Sequence, residues 1–262
     1  ILMPKLGANI SMLFNELPFL ERYQAAANHG FEAVECQFPY AFSEVELAQA
    51  IQSSGMRQVL INTDAGNWNE GDRGLACDAN SKEAFQYSVM QALTYATAMG
   101  MPLIHVMAGI LPLGVSLEEA EQVYVENMRW ASQQASQQGI SLTMEAINPI
   151  DMPNYMLSNQ AQALRLLKLI NVKNLGIQFD FFHCQKHEGN ALEQFQSLLP
   201  YILHVQIAGV PQRHEPNTGT MDYAPIFAAI DASAYAGFIG CEYRPKTTTI
   251  EGLSWMKNSI FN

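Results

Sequence analysis

The sequence predicts an α/β fold, a single (β/α)8 barrel, on three observations. The chain has 262 residues, a length typical of one such barrel. Short apolar runs alternate with amphipathic stretches along its whole length. Hydrophobic residues make up 48% and charged residues 15%, which provides a large core and argues against disorder. We therefore expect one domain over residues 1–262, with Ile1 and Leu2 as the remnant of an expression tag.

The strands are predicted from apolar runs that are each followed by a polar loop and an amphipathic stretch. Repeated β-then-α units favour parallel strands that close into a barrel. An open doubly wound sheet is the alternative, but no G-x-G-x-x-G follows the first run. The predicted strands are Leu6 to Ile10, Ala33 to Cys36, Gln58 to Asn62, Leu103 to Met107, Leu142 to Ala146, Leu175 to Phe179, Ile202 to Ile207 and Phe238 to Glu242.

Capping signals mark the starts of several helices between these strands. Ser43 with Glu46, and Ser116 with Glu119, have the spacing of a capping box. Ser81 is expected to cap the helix between the third and fourth strands. Glycines that follow helical stretches are expected at the carboxyl ends of helices, and these are Gly30, Gly55, Gly100 and Gly139.

Composition and charge argue against several classes of function. The net charge of −11 disfavours a nucleic-acid partner, because duplex binding relies on Lys and Arg that neutralise phosphates. A small anionic substrate remains open, since such a ligand responds to local charge. No apolar run approaches the ~18 residues of a membrane span, and no signal peptide is visible at the start. The cysteines form no C-x-x-C pair, which favours free thiols and a cytoplasmic location; a homo-oligomer stays open.

Side chains with oxygen ligands lie at the ends of the last four predicted strands. These side chains are Glu145, Asp180, Gln206 and Glu242. In a parallel barrel the carboxyl ends of the strands form one rim, where such enzymes hold their reactive groups. Three carboxylates and an amide suit a hard divalent ion, Mg²⁺ or Mn²⁺. Zinc is the alternative, because His105 and His183 lie near the same strand ends.

Two long polar loops, Thr63 to Asn80 and Ala208 to Asp222, follow strand ends at the same predicted rim. Long loops in a compact domain tend to be functional or disordered. In the first loop, Arg73 is expected to bind a substrate carboxylate through its planar guanidinium. In the second, Arg213 is expected to contact substrate or to belong to a lid. His105 and His183 are expected to hydrogen-bond substrate oxygens.

Four short motifs lie at the predicted rim. They are Glu145-Ala146-Ile147-Asn148, Ile177-Gln178-Phe179-Asp180, His204-Val205-Gln206-Ile207-Ala208 and Gly240-Cys241-Glu242-Tyr243-Arg244-Pro245. Further motifs lie at Ala8 to Phe14, Phe38 to Tyr40, Gly71 to Cys77 and Thr247 to Thr249. Together these motifs resemble those of the hydroxypyruvate isomerase family, which has the xylose-isomerase-like TIM-barrel fold. The resemblance runs from Pro4 to Trp255, and the order and spacing of the motifs make it specific.

The resemblance implies an aldose–ketose-type isomerisation of a small hydroxy-oxo acid, first of all hydroxypyruvate to tartronate semialdehyde (2-hydroxy-3-oxopropanoate). In the family a divalent ion stabilises the ene-diolate that forms when a proton leaves carbon. By the family pattern Glu145 and Glu242 transfer the proton, and both bind the ion together with Asp180 and Gln206. Which glutamate removes the proton and which returns it stays open.

The chain departs from the hydroxypyruvate isomerase pattern in places. Ala146 stands where proline commonly follows the glutamate, and Gly209 stands where aspartate is common. The run from His105 to Gly109 is closer to the 2-oxo-tetronate isomerases, which makes a four-carbon substrate the alternative. Two other classes of function are a metal-dependent endonuclease-like hydrolase and a non-catalytic sugar-binding barrel. The hydrolase needs a histidine-rich metal cluster and a basic groove, which six histidines and the net charge of −11 disfavour.

Overall fold

Parallel strands close into a barrel in the computed structural model of the chain, which describes residues 4–257. The strands are β1 Leu6–Asn9, β2 Ala33–Glu35, β3 Arg57–Asn62, β4 Leu103–His105, β5 Ser141–Glu145, β6 Leu175–Asp180, β7 Ile202–Ile207 and β8 Ile239–Cys241. Each strand pairs with the next, and β1 pairs with β8 to close the sheet. All the predicted strands are confirmed within two residues at either end, so the open sheet is excluded. The expectation for Ile1 and Leu2 lies outside the described residues.

Helices surround the barrel and connect its strands. Within residues 4–257 they are α1 Arg22–Asn28, α2 Glu44–Ser54, α3 Lys82–Met99, α4 Leu117–Ser136, α5 Gln160–Ile170, α6 Phe181–His187, α7 Ala191–Leu198, α8 Ala224–Asp231 and α9 Thr249–Gly252. Both predicted capping boxes are formed, at the starts of α2 and α4. The four predicted glycines follow helix ends with positive φ.

The prediction that the Ser81 side chain caps α3 is wrong. Ser81 occupies the N-cap position but makes no side-chain hydrogen bond to the helix. Its hydroxyl donates instead to Asp78 Oδ2 at 2.7 Å. Asp78 caps the short 3-10 turn Ala79–Ser81, which leads directly into α3. The side-chain cap therefore lies three residues earlier than the sequence pattern indicates.

The core lies between the barrel and the helices, and it explains the apolar character of the strands. In a parallel barrel both faces of a strand are covered, so strands such as β6 are buried throughout their length. All four cysteines are buried and free, as predicted. Among residues 4–257, no helix is both long and apolar enough to cross a bilayer.

Candidate active site

The four side chains predicted at the rim all lie at the carboxyl ends of strands. Glu145 and Asp180 are the last residues of β5 and β6. Gln206 precedes the last residue of β7, and Glu242 follows β8 directly. All four side chains are buried. Ligand atoms of Glu145, Asp180 and His183 lie within 4.8 Å of one another. The closed barrel thus brings together residues that are far apart in sequence.

Glu145 has one carboxylate oxygen without a hydrogen bond to any described residue. This buried atom is Oε1. The other oxygen, Oε2, accepts a long hydrogen bond of 3.4 Å from Gln178 Nε2 and lies 3.6 Å from His105 Nδ1. Burial raises the pKa of Glu145 well above its usual range, and the charges of Glu242 and Asp180 raise it further. Glu145 is therefore well suited to bind a proton or a cation.

Asp180 is shared between the rim and the start of α6. Its Oδ1 accepts the backbone N–H of Phe182 at 2.8 Å, so the same residue ends a strand and caps a helix. Burial raises the pKa of Asp180 to about 6, although the positive charge of Arg213 opposes the shift. Its Oδ2 remains directed towards His183 and Arg213, at 3.6 and 3.4 Å.

The contacts of His183 define which ring nitrogen carries the proton. Both the backbone N–H and the side-chain amide of Asn148 lie at Nδ1, at 3.3 and 2.7 Å. Since both are donors, Nδ1 accepts and the proton lies on Nε2. Nε2 faces Asp180 and Glu145 at 3.6 and 3.9 Å. Burial lowers the pKa of His183 well below its usual range, so the ring is neutral. With its proton on Nε2, the ring directs a hydrogen-bond donor, rather than a free lone pair for a metal, towards Asp180 and Glu145.

Glu242 is held by donors on both oxygens. Oε1 accepts from Asn9 Nδ2 at 2.9 Å and from Gln37 Nε2 at 3.1 Å. Oε2 accepts from Arg213 Nη2 at 2.6 Å. Burial raises the pKa of Glu242 to about 7 despite the nearby guanidinium. A carboxyl group with a pKa near neutrality can both give and take a proton.

Gln206 lies in the same layer of the barrel, but both ends of its amide are hydrogen-bonded inside the barrel. Nε2 donates to Glu35 Oε1 at 2.7 Å. Oε1 accepts from Gln178 Nε2 at 2.9 Å, on the side where Glu145 lies. The amide oxygen has a second lone pair, so this contact leaves it able to bind a cation.

Arg213 extends from the loop after β7 into the acidic cluster, where its side chain is 15% exposed. It donates to Glu242 Oε2 at 2.6 Å and to Asp180 Oδ2 at 3.4 Å, and its guanidinium lies 4.9 Å from the Phe182 ring centre. It therefore offsets part of the negative charge that the buried carboxylates bring together. The structure places Arg213 inside the site, and its expected contact with substrate or role in a lid stays a prediction.

His105 carries its proton on the opposite ring nitrogen from His183. Its Nδ1 lies 3.3 Å from Asn62 Oδ1 and 3.6 Å from Glu145 Oε2, both acceptors, which places the proton on Nδ1. Nε2 is buried and makes no hydrogen bond to the described residues. Burial lowers the pKa of His105 to about 3, so the ring is neutral and Nε2 is an acceptor.

Arg73 lies at the edge of the site in the first long loop. Its guanidinium stacks 3.8 Å from the Trp68 ring centre, and Nη1 donates to the carbonyls of Trp68 and Asp72. Trp68 also packs against Phe38, with ring centres 5.5 Å apart. These contacts hold Arg73 in place through Nη1 and leave its other nitrogens for a ligand.

These residues surround one cavity of about 320 Å³. Its lining includes Phe38, Asn62, Trp68, Arg73, His105, Glu145, Met152, His183, Arg213, Glu242 and Arg244. Asp180 and Gln206 are not part of this lining: Asp180 contacts the lining residues His183 and Arg213, and Gln206 is connected to Glu145 through Gln178. Both long loops thus cover the carboxyl-terminal face of the barrel, as predicted.

The sequence interpretation missed several polar residues that support the rim. They are Asn9, Gln37, Thr143, Asn148 and Gln178, which hydrogen-bond the rim residues or one another. A signal was available for two of them. Thr143 and Gln178 each stand two positions before a rim carboxylate, and alternate residues of a strand point to the same face.

Comparison with known proteins identifies the class of protein first. The family profile described as xylose isomerase-like TIM barrel matches residues 23–259. A structure described as AP endonuclease, family 2, from Brucella melitensis has 37% sequence identity and a TM-score of 0.95, covering 97% of this chain and 98% of that one. A 3-keto-D-glucoside 4-epimerase from E. coli, at 21% identity and a TM-score of 0.81, covers 97% and 99% and shares the fold. The chain belongs to the xylose isomerase-like TIM-barrel family.

Named relatives narrow the class to isomerases. A 2-oxo-tetronate isomerase from Cupriavidus necator is 41% identical over 255 residues, which cover 97% of this chain and 98% of the relative. The hydroxypyruvate isomerase of Escherichia coli is 40% identical over 254 residues, which cover 97% and 98%. These matches confirm the resemblance found in the sequence motifs, and the chain is an isomerase of this group.

Proposed function

We propose that this isomerase interconverts the aldehyde and ketone forms of a small hydroxy-oxo acid, first of all hydroxypyruvate and tartronate semialdehyde, with the help of a divalent ion. One observation carries the proposal most strongly. Two buried carboxyl groups with raised pKa, Glu145 and Glu242, face the same small cavity. Such a pair can supply both the base that removes a proton from one carbon and the acid that returns one to the next, and the isomerase names of the relatives agree with this reaction.

The residues present suit a divalent ion. Glu145 Oε1 is buried without a hydrogen bond to the described residues, and the neighbouring carboxylates repel one another. A cation relieves both costs. We assign Glu145, Asp180, Gln206 and Glu242 as its ligands, and this all-oxygen set favours Mg²⁺ or Mn²⁺ over zinc. When bound, such an ion supplies Lewis-acid stabilisation of the negative charge that develops on the substrate oxygens.

The two glutamates divide the proton transfer between neighbouring carbons. One carboxylate takes the proton from carbon as a general base, the proton of the substrate hydroxyl group passes to the neighbouring carbonyl oxygen, and the other carboxyl group delivers a proton to the adjacent carbon. Proton exchange with solvent then restores the two glutamates. The interconversion is reversible, so each glutamate plays either role according to the direction of reaction.

The remaining polar groups orient the substrate. His183 Nε2 donates and His105 Nε2 accepts, so together they distinguish a carbonyl oxygen from a hydroxyl group. We propose that Arg213 and Arg73 bind the substrate carboxylate through their planar guanidinium groups. Trp68, over which Arg73 stacks, lines the same cavity and shields it from water.

A four-carbon 2-oxo-tetronate is the second candidate substrate. The His105 to Gly109 run favours it, and relatives with the two names are almost equally identical to the chain. The cavity of about 320 Å³ has room for about ten water molecules at ~30 Å³ each and accommodates either acid. Phosphodiester hydrolysis is disfavoured, because the group that can hold a metal contains one histidine and the net charge is −11.

Turnover of both acids tests the proposal. Purified protein is incubated with hydroxypyruvate or with a 2-oxo-tetronate, in Mg²⁺, in Mn²⁺ and in EDTA, and products are followed by NMR. We expect metal-dependent isomerisation, with a higher kcat/KM for hydroxypyruvate. A preference for the four-carbon acid would revise the substrate, and no turnover of either acid with any metal would refute the function.

A further inference from the structure

A chain of hydrogen-bonded side chains crosses the interior of the barrel beneath the rim. Thr143 Oγ1 bonds Gln178 Oε1 at 2.9 Å. Gln178 Nε2 donates to Gln206 Oε1 at 2.9 Å, and Gln206 Nε2 donates to Glu35 Oε1 at 2.7 Å. All four residues are buried, so each polar atom depends on its neighbour in the chain.

The direction of this chain is set most closely at the Glu35 end, since at the other end Gln178 Nε2 reaches the carboxylate of Glu145 only over 3.4 Å. A hydroxyl group can donate or accept, so Thr143 is compatible with either orientation of the Gln178 amide. If both glutamine amides turned over, they would still hydrogen-bond each other, but the Gln206 nitrogen would replace its oxygen beside Gln178. Glu35 Oε1 already accepts a hydrogen bond from Asn9 Nδ2 at 3.0 Å, so this oxygen is an acceptor and takes the Gln206 NH2 group rather than the Gln206 oxygen. The oxygen of Gln206 is thereby directed to the side of Glu145.

The Glu35 carboxylate is enclosed by polar partners inside the barrel. His204 Nε2 lies 2.5 Å from Oε2, and Asn9 Nδ2 donates to Oε1 at 3.0 Å. A β-carbon at position 240 would overlap this carboxylate, so Gly240 leaves the space it occupies. The strand register shifts just before Glu35 in β2 and just before Gln178 in β6. Such irregularities re-aim side chains, here at both partners of Gln206.

We propose that Glu35 is a positioning residue, which orients the Gln206 amide so that its oxygen, rather than its nitrogen, faces the metal-binding side of the rim. This inference rests on the proposed function, in which Gln206 is a metal ligand. Asn9 is not the route of this effect, because the backbone N–H of Ser11 donates to Asn9 Oδ1 at 3.1 Å and fixes that amide independently.

Mn²⁺ affinity measured by calorimetry on the metal-free protein tests the proposal without an activity assay. Glu35→Asp keeps the charge but withdraws the carboxylate from Gln206, and we expect roughly tenfold weaker Mn²⁺ binding. Glu35→Met removes the acceptor, and we expect a loss of up to about 100-fold. If one of these variants does not fold, the other decides.

Two further variants separate positioning from general effects. Glu121→Asp is a matched control, since buried Glu121 also accepts from a glutamine Nε2, that of Gln162, at 2.7 Å, but between outer helices. Its Mn²⁺ affinity should stay within twofold of wild type. In a Gln206→Met background, Glu35→Asp should cause no further loss, because Glu35 acts through Gln206.

The outcomes are distinguishable. Unchanged Mn²⁺ affinity in the folded Glu35 variants overturns the positioning role. The role is also overturned if Glu35→Asp weakens Mn²⁺ binding as much in the Gln206→Met background as it does in wild type. Weaker binding by Glu35→Asp that disappears in the Gln206→Met background supports it. If Gln206→Met itself binds Mn²⁺ as tightly as wild type, the ligand assignment in the proposed function fails instead.

Discussion

The two ends of the barrel are made by the same strands but present opposite chemistry. The cavity at the carboxyl end, about 320 Å³, is surrounded by carboxylates, histidines and arginines. The cavity at the amino end is larger, about 480 Å³, and its lining is mostly apolar. That lining includes Ile51, Met56, Val59, Met99, Pro102, Leu103, Leu203 and Phe238.

The difference shows that the size of a cavity does not identify the reactive end. At the carboxyl end, burial raises the pKa values of Glu145, Asp180 and Glu242, a cost that a stable fold has no reason to keep without function. At the amino end the polar lining is limited to Arg57, Gln58, His204 and Tyr235. Substitutions at the first end should therefore alter chemistry, and those of the apolar lining at the second end should alter stability alone.

The largest effect is expected from removing a proton-transfer group. Glu145→Gln and Glu242→Gln should each lower kcat by about 10³-fold, because an amide cannot exchange a proton with carbon. Steady-state kinetics at saturating Mg²⁺ and Mn²⁺ measure the change. Glu126→Gln, at an exposed position on α4, is the control and should keep wild-type activity. If either active-site variant retained more than a tenth of the wild-type kcat, that glutamate would not be a proton-transfer group, and the contrast between the two ends would lose its main support.

A smaller loss of activity is expected when the positive charge of Arg213 is removed from the site. Arg213→Gln leaves Glu242 and Asp180 without their partner and removes a group assigned to the substrate carboxylate. We expect kcat/KM to fall about 100-fold, about 3 kcal/mol, with a rise in KM as one component. Arg213→Lys keeps the charge without the planar fork and should lose less. A fall of under fivefold in Arg213→Gln would argue against substrate contact by this side chain.

The acidic end should also make the stability of the metal-free protein depend on pH. The pKa values of Asp180 and Glu242 are raised to about 6 and about 7, above the values of about 4 for unfolded chains. At these two groups the folded state holds extra protons, so their contribution to stability falls as the pH rises through these values, whereas the lowered pKa values of His105 and His183 give a contribution that rises. The contribution of Glu242, taken as the difference between wild type and Glu242→Gln in urea unfolding with EDTA, should fall by about 2–3 kcal/mol between about pH 5 and 8.

Two measurements sharpen that expectation. Glu242→Gln should remove the part of the unfolding free energy that falls with pH, and added Mn²⁺ should stabilise the protein most at high pH, because the ion binds ionised carboxylates. An equal difference between wild type and Glu242→Gln at about pH 5 and 8 in EDTA would show that the Glu242 carboxyl group is ionised without a metal.

The smallest effect on chemistry is expected at the amino end. Leu103→Ala shortens a half-buried side chain in the lining of the apolar cavity. We expect about 1–2 kcal/mol of lost stability, because apolar contact area is removed, with kcat within twofold of wild type. Urea unfolding and steady-state kinetics on the same preparation measure both quantities. A tenfold change in kcat would mean that the two ends are coupled.

The fold and the rim were predictable from sequence for a local reason. The strands are short apolar runs, and a residue such as Glu145 or Asp180 marks the point where such a run meets the rim. Position in the run is sufficient to place these side chains together once the barrel is inferred. The prediction of a Ser81 side-chain cap for α3 was wrong because the Ser81 hydroxyl donates its hydrogen bond to Asp78, three residues earlier.

The electrostatic details were not predictable, because they depend on contacts between distant residues. The tautomer of His183 depends on Asn148, 35 residues earlier, and Arg213 meets carboxylates 33 and 29 residues away. Glu35 reaches Gln206 across the barrel, 171 residues apart in sequence. No periodicity indicates which of these partners will meet.

The central proposal is that two carboxyl groups at the carboxyl end of the barrel move a proton between adjacent carbons. Isomerisation of hydroxypyruvate in D2O with Mn²⁺, followed by NMR and compared with an enzyme-free sample, tests it most directly. We predict that deuterium enters the newly protonated carbon of tartronate semialdehyde in wild type and that Glu145→Gln forms almost no labelled product. Rapid conversion by wild type without solvent deuterium at that carbon would contradict the proposal.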